Sequence, residues 1–288
     1  MDTTEAGSGR AAAERWRSGP VRRAARELAL VAALFLAYKA GRVAAAGRTS
    51  TALTNGERVW RLERLLHLPD EALLQHPLLA HDLLIRLANC YYAWVHFPAT
   101  ALCLVWLYAR HPAHYRWIRR ALAALTAAAL ALHVLVPLAP PRMTGLTGLV
   151  DTGSRYGPAV YGSPEADTLS NQYAAMPSLH VGWALAVAVA LVAVTPGRLR
   201  WLWLAHPLVT LLVVVVTGNH YWLDGIVATV LLAVILSLLP RPDRRPPVVP
   251  AARRTRPHLV ATRRHGDVRR PRPRRPPSRA GSMDGGRR

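Results

Sequence analysis

Two short segments of this chain carry residue types suited to chemistry at phosphorus: Met176-Pro177-Ser178-Leu179-His180 and Gly218-Asn219-His220-Tyr221-Trp222-Leu223-Asp224. Each sets a histidine at the mouth of a long apolar run, and the second adds an aspartate four residues on. Displacement at phosphorus needs a nucleophile, an acid for the leaving oxygen and cations for the remaining oxygens. His220 suits the nucleophile when its imidazole is neutral and one nitrogen faces the substrate. Asp224, at the i+4 position, reaches the other nitrogen's proton and so fixes the tautomer and stabilises the cation formed by attack. His180 is then the general acid. Arg142 offers planar, paired donors that match phosphate oxygens. Pro177 fits a first helical turn, and the free N–H groups there, beside Ser178, make an anion seat.

Each of these residues has a structural alternative. A membrane histidine often bonds a neighbouring helix, the reading taken for His96, His133 and His206. Arg142 alone could anchor at an interface, and His180, His220 and Asp224 together could ligate a metal. The alternatives weaken where four polar residues share one membrane depth, because ionisable groups inside a bilayer are costly and usually functional.

That depth follows from the elements. Apolar residues gather in six runs, 28–46, 87–109, 121–139, 176–195, 201–217 and 221–239, near the roughly 20 residues that cross a bilayer. Basic residues alternate with them. They fall in the N-terminal segment from Arg10 to Arg26, at Arg110, Arg116, Arg119 and Arg120, at Arg198 and Arg200, and in the C-terminal tail. The positive-inside rule places all of these in the cytoplasm. The expectation is an all-α polytopic membrane bundle of six transmembrane helices with both termini cytoplasmic. Residues 47–86, 140–175 and 218–220 then lie on the opposite face, together with Arg142, His180, His220 and Asp224. Within 47–86, the stretch Val59-Trp60, Leu62, Leu65-Leu66 has helical spacing. It suits a helix on the membrane surface or one packed on the bundle. The 140–175 segment reads as a long ordered loop.

Three regions result: a basic N-terminal segment 1–27, a membrane domain 28–239, and a basic Pro/Arg-rich tail 240–288. The tail has 16 Arg against three Asp, thirteen of the net charge of +21. With so few large apolar residues it cannot offset ordering entropy and is expected to be disordered. Contact with anionic lipid headgroups is a simpler role for it than nucleic-acid binding. Residues 1–26 followed by a run ending Ala44-Ala45-Ala46 resemble a signal peptide. Lys39 and Arg42 interrupt that run, which favours an uncleaved first helix. Cys90 and Cys103 are about 20 Å apart along one helix, too far to bridge within it, and are expected to be small core residues.

The motifs resemble those of the phosphatidic acid phosphatase type 2 superfamily. Pro177-Ser178-Leu179-His180 looks like its second signature, normally Pro-Ser-Gly-His, and His220 with Asp224 looks like the end of its third. The leucine and the His-Tyr-x-x-Asp ending are closer to the branch that includes inositol phosphorylceramide synthases. The resemblance covers roughly residues 28–239. It implies a six-helix membrane fold and phosphoryl transfer through a phosphohistidine, without metal or cofactor. His220 would be the nucleophile, His180 the acid and Asp224 the orienting carboxylate. Two cations of the family pattern are replaced. The lysine of the first signature is Leu135, and the Ser-Arg that opens the third is Val213-Val214. Lys39 and Arg42, three residues apart on one face of the first span, are candidates to complete the anion site.

The leading expectation is an integral membrane lipid phosphatase or phosphotransferase at the cell membrane. It would act on a lipid phosphate or phospholipid from the extracytoplasmic face. A non-catalytic lipid-binding or scaffold protein and a metal-dependent membrane hydrolase are the alternatives.

Overall fold

The computed structural model describes residues 22, 24–33, 35–37, 39, 40, 48–162 and 172–242, all within one unit, Met1–Asp243. Nearly all of the basic N-terminal segment and the tail lie outside the described residues, as does Arg42. Among those described there is no strand, only an isolated bridge between Leu138 and Ala174. The residues described within 24–40 are helical.

Three helices fill the segment expected opposite the basic loops: α1 (Thr49–Leu65), α2 (Glu71–Leu79) and the start of α3 (Asp82–Cys90). Asp70 caps α2, its carboxylate accepting from Ala72 N–H at 3.0 Å. A π-helical turn, Tyr91–Val95, joins α3 to α4 (His96–Arg110), so that 82–110 runs as one helix of 29 residues. Cys90 and Cys103 sit along it, both free and partly buried. Next comes α5 (Pro112–Leu135), opened by a proline that has no N–H to leave unpaired. It begins well before the expected residue 121, so its first turns hold Arg116, Arg119 and Arg120. A loop with a short helix, α6 (Thr152–Tyr156), leads towards α7 (Leu179–Val194). A 3-10 turn, Arg198–Leu204, runs into α8 (Ala205–Val216), and α9 (Trp222–Leu238) follows.

At the centre, α7 packs against α4, α5, α8 and α9. Its small residues explain why: Ala184, Ala186, Ala188 and Ala190 are all buried and let neighbouring backbones approach. A Cβ on Gly182 would lie 2.8 Å from Leu125 Cδ2, a measure of how near α5 comes. The outer faces are apolar as well, with Leu102, Val105, Leu208, Leu212, Val230 and Val234 exposed. So much outward apolar surface on helices needs lipid as its solvent. The continuous helices 82–110, 112–135 and 198–216 are long and apolar enough to cross a membrane. The other two, α7 and α9, are apolar but shorter, at 16 and 17 residues.

The helix α1 buries Ala52, Gly56 and Glu63, with Val59 and Trp60 packed on Leu138, Ala175 and Tyr221. Leu62, Leu65 and Leu66 stay exposed, so the predicted apolar stripe is divided between two faces. Hydrogen bonds tie α1 to the segment after α5. Asn55 donates to the Pro137 carbonyl at 2.9 Å, Arg48 to Val134 at 2.6 Å, and Ala139 N–H to Ala52 at 3.0 Å. Gln75 of α2 donates to the carbonyls of Val150 and Val216 and accepts from Val150 N–H. The helices before the bundle thus clamp the loops at one of its ends.

Candidate active site

That end holds the motif residues. Asp224 sits in the first turn of α9 and its carboxylate turns back: Oδ2 accepts from Tyr221 N–H at 2.9 Å. The same oxygen lies 3.1 Å from His220 Nδ1, and the Ala175 carbonyl is 2.8 Å from that nitrogen. Both neighbours are acceptors, so Nδ1 carries the hydrogen and Nε2 keeps the lone pair. The Asp224 carbonyl in turn accepts from Ser178 N–H at 3.0 Å, which fastens the two motifs to each other. His220 lies in the turn between α8 and α9. Burial pushes its imidazole down to about 4, the bond to Ala175 opposing and Arg142 adding. It is therefore neutral at ordinary pH, as a nucleophile must be.

His180, in the first turn of α7, stacks on Tyr92 with ring centroids 4.5 Å apart and planes 26° apart. His96 lies 5.0 Å from it on the same side, and the His220 ring is 5.9 Å away. Its Nε2 is buried without a hydrogen-bond partner. The two imidazoles are close enough to reach one phosphate group. The π-helical turn positions this wall of the site: it precedes His96 and contains Tyr92, and such turns recur at functional sites.

The Arg142 side chain is 4 % exposed and held from several sides. Nη1 donates to Asn219 Oδ1 at 2.6 Å, Nε lies 3.4 Å from Asp151 Oδ2, and the guanidinium carbon sits 3.8 Å above the Tyr161 ring. Tyr161 donates its hydroxyl to Asp151 at 3.1 Å. Burial pushes that phenol up and the Arg142 charge opposes. The Arg142 amide donates to the Gly218 carbonyl at 3.0 Å. Gly218 has φ +70°, and a Cβ there would stand 3.0 Å from Arg142 Cβ, so both its conformation and this approach call for glycine.

These groups open onto one cavity of about 490 Å³. Arg142, His133, His180, Asn219 and His220 line its polar part; Val31, Phe35, Phe97, Leu130 and Val160 are among its apolar lining. A phosphate with an attached hydrocarbon matches that division. Among the described residues no three His, Cys, Asp or Glu side chains form a group that could hold a metal ion.

The pattern that defines the PAP2 superfamily matches residues 57–238, well over half of the chain. The chain belongs to the PAP2 superfamily. No curated protein and no solved structure matches it. Membership makes this PAP2 protein one of a group with phosphatase- or phosphotransferase-type chemistry, and its apolar helices place that chemistry in a membrane.

Several expected site residues of the PAP2 protein stand elsewhere. Ser178 is the N-cap of α7, fully buried, its hydroxyl accepting from Val181 N–H at 3.4 Å, and it does not line the cavity. Pro177 precedes that cap instead of entering the first turn, and its carbonyl lies 3.3 Å from His133 Nε2, which donates to it. Lys39 is not among the lining residues, although Val31 and Phe35 before it are. At the two lost cation positions, Leu135 is 70 % exposed and does not line the cavity, while Val214 is buried. The Val214 carbonyl accepts from the amides of Asn219 and His220 and so shapes the turn that holds His220.

Of the three histidines read as hydrogen-bond partners between helices, His206 is one, 2.8 Å from the Tyr91 hydroxyl, and His133 bonds the Pro177 carbonyl and also lines the cavity, while both His96 nitrogens are buried without a partner among the described residues. Asn89, Tyr92 and His96 recur at helical spacing, which suits either a pocket wall or polar glue. Tyr92 lines the cavity, whereas Asn89 binds the carbonyls of Thr152 and Gly157 as polar glue. Asp151, Tyr161 and Asn219, the companions of Arg142, carry no motif signal beyond Asn219's place beside the histidine.

Proposed function

We propose that this protein transfers a phosphoryl or phosphoalcohol group from a lipid-linked phosphate at the extracytoplasmic leaflet, through a phosphohistidine at His220. The observation that carries the reading is the two acceptors on His220 Nδ1, which leave Nε2 as the nucleophilic nitrogen of a side chain lining the cavity. In the first half-reaction Nε2 attacks phosphorus, a P–N bond forms and the P–O bond to the leaving alcohol breaks. His180 gives the departing oxygen its proton. Asp224 keeps the Nδ1 proton and steadies the cationic ring, as the aspartate of a serine triad does. In the second half His180 takes a proton from the acceptor, whose oxygen attacks phosphorus as the P–N bond breaks. Arg142, fixed by Asn219, Asp151 and Tyr161, presents its guanidinium to the phosphate oxygens without reorganising.

Six spans with both termini in the cytoplasm put the cavity on the outer side, and the apolar lining at Val31, Phe35 and Phe97 supports a lipid tail. Water as acceptor makes the enzyme a lipid phosphatase. An alcohol such as a polyol makes it a phosphotransferase, like the inositol phosphorylceramide synthases its motifs resemble.

The test is a panel of lipid phosphates and phospholipids given to purified protein, with and without candidate alcohols, wild type beside His220→Ala. Turnover by wild type alone, with an acid-labile phosphoryl group trapped on His220, is the expected result. Free phosphate in every arm identifies the hydrolase, and a new phosphodiester the transferase. Equal turnover by His220→Ala would sink the reading. Lipid binding with no turnover by either protein would point to the non-catalytic alternative.

A further inference from the structure

Behind the catalytic pair lies a second group of buried charges that the phosphoryl-transfer reading does not use. Glu63 of α1 is fully buried, and its Oε1 accepts from Leu223 N–H at 2.7 Å, one residue before Asp224. This bond joins positions 160 residues apart and seats α1 on the first turn of α9. Glu71, at the start of α2, is 1 % exposed and faces the same spot. Arg64 is the cation between them, with Nη2 3.3 Å from Glu71 Oε2 and 3.9 Å from Glu63 Oε2, and Asp70 competes for it at 3.4 Å. Two oxygens, Glu63 Oε2 and Glu71 Oε1, are buried without a donor.

Two buried carboxylates sharing one guanidinium with a third would leave net negative charge in a water-poor contact. A single proton between them supplies the missing donor and removes one charge. Burial, then the hydrogen bond and charge of Glu71, hold the Glu63 carboxyl up at about 9, with Leu223 N–H opposing and Asp224 adding. Arg64, Glu71, Asp224 and the Tyr221 phenol are the titratable or charged groups set against it.

We propose that Glu63 is a positioning residue for the His220–Asp224 pair, holding the start of α9 through a proton shared with Glu71. It touches neither substrate nor reacting atoms. It acts through the Leu223 amide on the turn whose Asp224 fixes the His220 tautomer. The inference rests on the phosphoryl-transfer reading for its effect on turnover, but the latch itself can be tested without turnover. A carboxyl whose folded-state value is raised contributes stability that is present below the ordinary carboxylate range and lost as pH rises towards about 9.

The experiment compares full-length wild type, E63Q and E63A in one detergent between pH 6 and pH 10. It reads kcat, KM and melting temperature. Glutamine still accepts from Leu223 N–H and donates to Glu71, but holds no titrating proton. Wild type is expected to lose melting temperature steadily from pH 6 to about pH 9 and to level off above it, with kcat falling between about pH 8 and pH 10, whereas E63Q holds both level. Below about pH 8 E63A should lower kcat by about tenfold with KM within about twofold, and E63Q should restore it. An alkaline decline in E63Q parallel to that of wild type would overturn the proposal, as would wild-type kcat in E63A. If no protein turns over, the reading of the active site falls, and the melting-temperature profiles of wild type and E63Q still decide the latch. If E63A does not fold, the comparison of E63Q with wild type decides it.

Discussion

At Asp224 the side chain does two things at once: one oxygen ends the first turn of α9 by accepting from Tyr221 N–H and sets the tautomer of His220. The charge can be separated from the two bonds. An asparagine with its oxygen at that point still accepts from Tyr221 N–H and from Nδ1, but it brings no negative charge to steady the cationic ring that attack at phosphorus would form. Asp224→Asn is therefore expected to leave melting temperature nearly unchanged and lower kcat by about 10²- to 10⁴-fold, read in steady-state kinetics. Arg142 is a different case, because its proposed role as a phosphate clamp depends on its plane. Lysine keeps the charge but cannot bond Asn219, pair with Asp151 and lie flat on Tyr161 together. Arg142→Lys is expected to raise KM for a lipid phosphate by about tenfold, or about 1.4 kcal/mol of binding. A KM within twofold of wild type would remove Arg142 from the phosphate cradle.

Among the elements, α1 links the fold most directly to the site. Its inner stripe is Ala52, Gly56 and Glu63, two small residues and a carboxylate, and each brings a different part of the site to it. A Cβ on Gly56 would stand 2.8 Å from Thr144 Cγ2 and 3.0 Å from both the Ala139 carbonyl and the Tyr221 hydroxyl. Two of these neighbours are parts of the Arg142 loop and the third belongs to the His220 turn. Gly56→Ala must therefore push α1 off both, at a cost of about 1–3 kcal/mol. A lower melting temperature together with reduced kcat is the expected outcome; loss of stability with unchanged kcat would mean that α1 supports the bundle and not the site. The helical spacing of 59–66 was visible in the sequence, but which face turned inward was not. Leucines at 62, 65 and 66 outweigh one glutamate in any pattern, yet the partner surface offers an amide at Leu223, and a carboxyl that meets it can be buried.

For the molecule as a whole, the proposed topology puts the site outside and the arginine-rich turns inside. Ser154, exposed in α6 near the site, and Arg198, exposed in the turn before α8, should then lie on opposite sides. In whole cells, with Cys90 and Cys103 replaced by serine, a membrane-impermeant maleimide is expected to label Ser154→Cys and to spare Arg198→Cys. Labelling of both or the reverse pattern would overturn the orientation. Strong chelators are expected to leave turnover unchanged in the same preparation, since the proposed steps pass through nitrogen, oxygen and protons of the chain itself.

The features legible in the sequence are those that depend on near neighbours. Asp224 reaches His220 because four residues at a helix start allow it. Long apolar runs declare their solvent whatever they pack against. Tertiary structure decided the rest, because the deciding partners lie far along the chain: Asn219 for Arg142, Leu223 for Glu63, Tyr92 for His180. It also turned the Ser178 hydroxyl inward to cap its own helix and brought His133 to the cavity wall. A buried polar group takes whichever partner the packing presents, and only the assembled bundle fixes which that is.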